Sequence, residues 1–308
     1  MEHSYYYDDL PVSTQTFIVR SNISSVNLAE CFANLTVKSC ITAIKYKHET
    51  KDAKVTASSD SSDSPKTMTQ KKKKKKTPKK IKKVSLKNFL NCVTLTVQID
   101  KRINVKIFNN GTFQMTGCKK RDHVGICMNA ILEEFDKSEN KYYTLDPLEN
   151  GIVYYVISVM RNVDFDIGFK IDRSALGTYV DGNSIYSVPP MTTGYMGVKI
   201  KIPVDNVRDI RIPKIAWPSN DATSVSYEEF FGTIYPAPKK LTKKYFVSLS
   251  VFQNGKVLIS GVDEAVIKPC YYWFKDLIAK GKNEVKVTPI PKKTFIRALQ
   301  IASMNKNN

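Results

Sequence analysis

The chain says one thing twice. Ile107-Phe108-Asn109-Asn110-Gly111 leads to Thr116-Gly117, and Val251-Phe252-Gln253-Asn254-Gly255 leads to Ser260-Gly261. Phe108 and Phe252 stand the same distance before their hydroxyl residues, Thr116 and Ser260, and a helix-patterned stretch follows each copy. The spacing predicts strand, Asn-Gly turn, strand, small residue and helix in both halves. A duplicated supersecondary unit commits the chain to a pseudo-symmetric architecture, because neither copy can cover its own sheet. The expected fold is therefore α+β, two such units joined in one curved antiparallel sheet with helices on one face. The opposite face is left open to something else.

Charge narrows what that something is. The 308 residues carry a formal net charge of +19, which points to an anionic partner. Eleven lysines fall between positions 66 and 83, without an acid among them. Setting these eleven aside leaves +8 on the rest, so the body is mildly basic and one segment is extreme. No run of about 18 apolar residues predicts a membrane-spanning helix, and the acidic, tyrosine-rich start (Glu2, Tyr5, Tyr6, Tyr7, Asp8, Asp9) does not read as a signal peptide. The six cysteines form no C-x-x-C pair and read as reduced thiols of an intracellular protein. Cys118, His123 and Cys127 are spaced C-x4-H-x3-C. No fourth ligand is evident, so core cysteines beside a helix are expected rather than a metal site. No nucleophile–base pair, glycine-rich phosphate loop or paired carboxylate stands out among only three histidines. The expectation is a non-enzyme without cofactors.

Along the chain, residues 1–15 read as a tail and 16–28 as a strand. Asn34 is expected to cap a short helix with Val37, Cys40, Ile41 and Ile44 on its apolar face. Residues 49–83 are Ser/Asp-rich, then lysine-rich. They hold too little apolar surface to offset ordering entropy and are expected to form a disordered insertion within the first repeat, which spans 16–150. Asn110-Gly111 predicts a type I′ hairpin turn. Asp122 is expected to cap a helix facing inward with Ile126, Cys127, Ala130, Ile131 and Phe135. The second repeat, 151–290, opens on the strand-like run 152–171 and holds an insertion at 181–226. Phe231 to Tyr235 and Tyr245 to Phe252 read as strands. A helix capped by Asp263 carries Ile267, Tyr271, Phe274 and Ile278 on one stripe, and residues 291–308 form a tail.

These residues resemble the TATA-box-binding protein (TBP) family, whose core is two such repeats forming a saddle. The family signature, Ile-Phe, a turn with Gly, then a strand ending Thr-Gly, matches Ile107-Phe108 to Thr116-Gly117 and Val251-Phe252 to Ser260-Gly261. Phe230-Phe231-Gly232-Thr233-Ile234-Tyr235 is similar to the family's Phe-Pro-Gly-Leu-Ile-Tyr, and Asp166-Ile167-Gly168-Phe169-Lys170-Ile171 to its Asp-Val-Lys-Phe-Pro-Ile. Ser25-Val26-Asn27-Leu28 matches the end of its first strand. The divergence and the Lys-, Asn-, Ile- and Tyr-rich composition point to a TBP-like protein of a large DNA virus. Its place would be the nucleus or a viral factory in the host cytoplasm.

The resemblance implies a duplicated TBP-like saddle with helices on its convex face, and a transcription initiation factor that binds the DNA minor groove. Paired phenylalanines wedge between base steps and bend the duplex, at an unstacking cost of a few kcal/mol per step. The implied pairs are Phe89 with Phe108 and Phe230 with Phe252. Thr116 and Ser260 match groove-facing threonines, whose hydroxyls can donate to the N3 and O2 acceptors of an A·T edge. Gln114 and Leu258 lie two residues earlier, on the same strand faces. The family's first-strand Asn positions fall on Ser21 and Met160. Asn22 is one residue out of phase and needs a bulge to face the groove, whereas Asn162 keeps the face. Ile23 and Asn162 then occupy the places of groove-lining valines. Glu228 and Glu229 stand where an acidic residue contacts transcription factor IIB. Double-stranded DNA, a factor IIB-like protein and RNA polymerase are thus the implied partners. Lys71, Lys72, Lys73, Lys74, Lys75, Lys76, Lys79 and Lys80 read as a phosphate tether, a nuclear-import signal or a solvated spacer. A non-specific architectural or packaging protein using the same sheet is the rival reading.

Overall fold

A computed structural model describes residues 6–38, 40–52, 90–138, 141–146, 151–182 and 197–287. The lysine run, Phe89 and the tail at 291–308 lie outside these residues. The strands are β1 (Val12–Ser21), β2 (Ile23–Val26), β3 (Ile41–Tyr46), β4 (Glu49–Asp52), β5 (Cys92–Gln98), β6 (Arg102–Phe108), β7 (Thr112–Cys118), β8 (Tyr143–Leu145), β9 (Ile152–Asp166), β10 (Gly197–Val204), β11 (Ile212–Trp217), β12 (Ala222–Val225), β13 (Tyr245–Phe252) and β14 (Lys256–Gly261). The principal helices are α1 (Leu28–Asn34), α2 (Asp122–Asp136), α3 (Arg173–Gly182) and α4 (Glu264–Lys280).

The chain divides into two compact units. The first is Thr14–Val159 with Arg211–Ile234, and the second is Met1–Ser13, Met160–Ile210 and Tyr235–Asn308. In the first, strand order is β1-β7-β6-β5-β3-β4. In the second it is β10-β13-β14-β9. Alternation in the sequence sets which side chains of these strands face the core. Val93, Leu95 and Val97 of β5, Ile103, Val105 and Ile107 of β6, and Phe113 and Met115 of β7 are fully buried. Phe17 and Val19 of β1 join them, with Val124, Cys127, Met128, Ile131, Leu132 and Phe135 of α2. In the second unit Val247, Leu249, Val251, Val257 and Ile259 are buried along with Ile267, Tyr271, Phe274 and Ile278 of α4. Each such large apolar side chain contributes about 1.5–3 kcal/mol on burial.

The two units match down to single hydrogen bonds. Asn27 accepts from the Ala29 and Glu30 N–H groups to cap α1, and Asp172 accepts from Ser174 and Ala175 to cap α3. The Val26 N–H donates to Asn109 O at 2.7 Å, and the Ile171 N–H to Gln253 O at 3.0 Å. Each short helix is thereby tied to its own hairpin tip. Asp263 caps α4 through the Ala265 N–H, as expected. Pro269 deprives Ala265 O of its helical donor, and Asn206 Nδ2 reaches that carbonyl at 3.4 Å.

Several expectations are corrected. The sheet is not a curved saddle. Its hydrogen-bonded order, β10-β13-β14-β9-β1-β7-β6-β5-β3-β4, is open and ends on β10 and β4 without curling back or closing. The two units also carry unequal strands: β3 and β4 extend the first, and the β11–β12 hairpin pairs with the start of β9. The supported description is α+β, a large open antiparallel sheet with flanking helices. The turns are not type I′. Only Gly111 (φ +66) and Gly255 (φ +89) take positive φ there, and their N–H groups donate to Phe108 O and Phe252 O. Asn110 and Asn254 instead accept from the N–H two residues on. Asn34 ends α1 rather than capping a helix, because Asn27 had already supplied the cap, and Ile41–Tyr46 is a strand. Asp122 lies in the first turn of α2, not at its cap, and Ile126 is exposed. Gly197–Val204, read as insertion, pairs with β13 over its whole length. Phe230–Ile234 is helical, because Ser226 Oγ accepts from the Glu229 N–H and starts a turn at Tyr227.

Candidate nucleic-acid interface

The side chains that alternate with the core residues face away from it, and in directly paired strands they stand in rows across the sheet. In the first unit one row is Thr16, Thr116, Asn104 and Thr96, and the next is Ile18, Gln114, Lys106 and Thr94. Arg20 pairs with Thr112, and its guanidinium donates to the Thr112 hydroxyl. In the second unit the corresponding rows are Asn162, Ser260, Ser248 and Lys201, then Asp164, Leu258, Ser250 and Lys199. Asp166 pairs with Lys256, in the place of Arg20 with Thr112. Phe108 and Phe252 end β6 and β13 at equivalent points, each half-buried. Each unit thus presents hydroxyl, amide and cationic side chains over a sealed core, with one aromatic ring beside the turn, and the second unit adds the carboxylates of Asp164 and Asp166.

Five sequence-predicted residues, Thr116, Gln114, Ser260, Leu258 and Asn162, fall within these rows. Asn162 stands opposite Ser260, and among the described residues its buried Oδ1 has no hydrogen-bond partner. Its counterpart in the first unit is Thr16, 6% exposed and paired with Thr116.

Other predicted residues are placed elsewhere. The Asn22 side chain bridges backbone instead, accepting from the Val153 N–H at 3.0 Å and donating to Gly151 O at 2.8 Å. Ile23 is 1% exposed and packs in the first core. Ser21 Oγ donates to Gly111 O at 2.9 Å, which holds the turn against β1 rather than reading a ligand. Phe230 is 0% exposed, with its ring centroid 5.2 Å from Tyr155 and 4.9 Å from Phe231. It is a core ring in this conformation, not an exposed wedge. The cause is the helical turn at 227–234, which directs it inward. Glu228 and Glu229 are exposed in that turn. Met160 is 40% exposed.

Sequence reading missed Asn104, Lys106, Thr94, Thr96, Ser248, Lys199 and Lys201. The signal was present. Arg102-Ile-Asn-Val-Lys-Ile-Phe108 and Gly197-Val-Lys-Ile-Lys-Ile202 alternate without a break, and alternation assigns every polar position to one face.

A cleft of about 1020 Å³ opens on the second unit, lined by Asp9, Asp164, Asp166, Phe252, Leu258 and Lys256 among others. Among the described residues no group of three or more His, Cys, Asp or Glu is placed to hold a metal. His123 Nδ1 accepts from the Lys119 N–H, and its Nε2 lies 3.4 Å from the Asp100 carboxylate. Burial pushes the Cys118 thiol up to about 11 and the Cys127 thiol up to about 12. Cys31 is likewise pushed to about 12 and Cys270 to about 11. A thiol raised in the folded state favours folding below its unfolded value, and this is lost as pH climbs toward the folded value. Melting temperature is therefore expected to fall from about pH 9 upward. A melting temperature flat from pH 8 to 11 would contradict these burial assignments. No helix among the described residues is long and apolar enough to cross a membrane.

No family model matches the chain. It is 27% identical over 225 residues to the "TATA-box-binding protein-like" protein of Acanthamoeba polyphaga mimivirus, covering 69% of this chain and 54% of that protein. It is 24% identical over 228 residues to "Uncharacterized protein 335L" of Invertebrate iridescent virus 6, covering 67% and 65%. The chain thus spans between about half and two thirds of these relatives' lengths. Among solved structures, Methanococcus jannaschii TBP aligns with 88% of this chain and 98% of its own at 12% identity. The TM-score is 0.41, too low to carry weight. The sequence matches, not that superposition, make the chain a distant homologue of two virus-encoded proteins, one of them described as TATA-box-binding protein-like.

Proposed function

We propose that the chain binds double-stranded DNA with the core-distal sheet face of each unit, as a TBP-like initiation factor that engages the minor groove and bends promoter DNA. The observation that carries this reading is the matched set of rows, Thr16-Thr116-Asn104-Thr96 and Asn162-Ser260-Ser248-Lys201, each with a phenylalanine at the end of its hairpin strand. Hydroxyls and amides suit the uniform acceptors of an A·T minor groove, and lysines suit phosphate. The similarity to a mimivirus protein described as TATA-box-binding protein-like points the same way. Phe108 and Phe252 are the wedges. Phe89 is the proposed partner of Phe108, whereas Phe230 is left out. Glu228 and Glu229 offer an exposed acidic contact for a factor IIB-like partner, and through it RNA polymerase. Lys71–Lys80 add phosphate contacts that carry no sequence information. The site of action is the nucleus or a viral factory.

One observation favours a second reading, an architectural protein with the same face. The family's central Asn positions hold Ser21, tied to Gly111 O, and Met160. Equilibrium binding of the full chain to short duplexes with and without A·T steps, at several salt concentrations, separates the two. An initiation factor prefers one sequence class by at least about tenfold in Kd; an architectural protein binds all of them alike. Absence of duplex binding at low salt overturns both.

A further inference from the structure

The two faces differ in charge at equivalent places. Where the first unit has Ile18 opposite Gln114, the second has Asp164 opposite Leu258. Where the first has Arg20 opposite Thr112, the second has Asp166 opposite Lys256. Asp164 and Asp166 are both exposed, and with Asp9 they line the cleft that also holds Phe252 and Leu258. Carboxylates therefore crowd the surface around the second unit's aromatic ring. The matching rows of the first unit carry Arg20 and Lys106 and no acid.

Resting on the DNA-binding reading above, we infer that Asp164 and Asp166 are specificity-determining residues that hold the second unit off the phosphate backbone. A phosphodiester approaching this face meets like charge, so contact there is penalised unless the apolar Phe252–Leu258 surface finds a site to fill. The first unit lacks this penalty and engages any duplex. Repulsion against the wrong contact is a common source of discrimination, and for exposed charges it is screened by salt. Lys199, Lys201, Lys256 and Lys170 lie on or beside the same face and offset the repulsion in part. The two acids act as a filter, not a barrier.

The test uses the full chain with Asp164→Asn and Asp166→Asn together. Asparagine keeps the Oδ1 acceptor with which Asp166 holds the Gly168 N–H at 2.8 Å, so the fold is retained. Binding to a mixed-sequence duplex at low salt is expected to tighten by roughly three- to tenfold, with the gain shrinking at high salt. Preference for the best duplex over the mixed one is expected to narrow correspondingly. Unchanged Kd and unchanged preference, in a variant with wild-type melting temperature, overturn the filter while leaving DNA binding intact. If the wild-type chain binds no duplex, it is the underlying reading that fails.

Discussion

Gly111→Ala is expected to destabilise the protein by about 3 kcal/mol or more, a large part of the 5–15 kcal/mol that holds a typical domain. Two effects add. At φ +66 an L side chain sits in the left-handed region, at a cost of roughly 1–2 kcal/mol. A Cβ at this position would also run into the backbone carbonyl of Ile23, which cannot rotate away. Ile23 is held from both sides, buried in the first core and flanked by the Asn22 bridge to Val153 and Gly151. The hairpin tip would have to lift, breaking the Val26 N–H to Asn109 O bond and the Ser21 contact with Gly111 O. Gly255→Ala repeats the experiment in the second unit, where the added Cβ meets the Phe169 carbonyl at φ +89. Gly125→Ala is the control. It lies in α2 with open space around it, and should be neutral or slightly stabilising. Chemical denaturation of the three variants checks the ordering. Comparable stability of Gly111→Ala and Gly125→Ala would refute the account of the turn.

The largest functional effect is expected from Phe108→Ala and Phe252→Ala. Both rings are half-buried at the ends of β6 and β13, outside the main cores, so truncation should shift melting by only a few degrees. As wedges they would each carry about 2 kcal/mol of binding, near thirtyfold in Kd. The double variant should lose bending while keeping weak, salt-sensitive binding, because Lys106, Arg20 and the lysine run still meet phosphate. Bending that survives the double substitution would remove both residues from the mechanism.

Much of this was legible in the sequence because repetition and alternation are local signals. Val-Thr-Leu-Thr-Val in β5 and Ile-Asn-Val-Lys-Ile in β6 announce strands and faces together. The Asp263 cap and the Ile267-Tyr271-Phe274-Ile278 stripe were readable for the same reason. What escaped depended on partners distant in sequence. Whether Asn22 reads a ligand or braces backbone is decided by Val153 and Gly151, more than a hundred residues away. Phe230 lies in a Phe-Phe-Gly-Thr-Ile-Tyr run that reads equally well as a strand, and the Ser226 cap and the Tyr155 ring are among the contacts that hold it inward. The pairing of β11 with β9 likewise joins segments distant in sequence. No periodicity within residues 212–217 encodes that choice.

Minor-groove binding with bending can be read by energy transfer between dyes on the two ends of a short duplex saturated with the full chain. Three duplexes matter: A·T steps, the same steps as inosine·cytosine pairs, and G·C steps. Inosine·cytosine lacks the minor-groove amino group of G·C but keeps its major-groove pattern. Minor-groove binding with bending predicts that transfer rises on binding and that the inosine duplex behaves as the A·T duplex does. Transfer that stays at the free-duplex value at saturation, or an inosine duplex that follows G·C away from A·T, would contradict it.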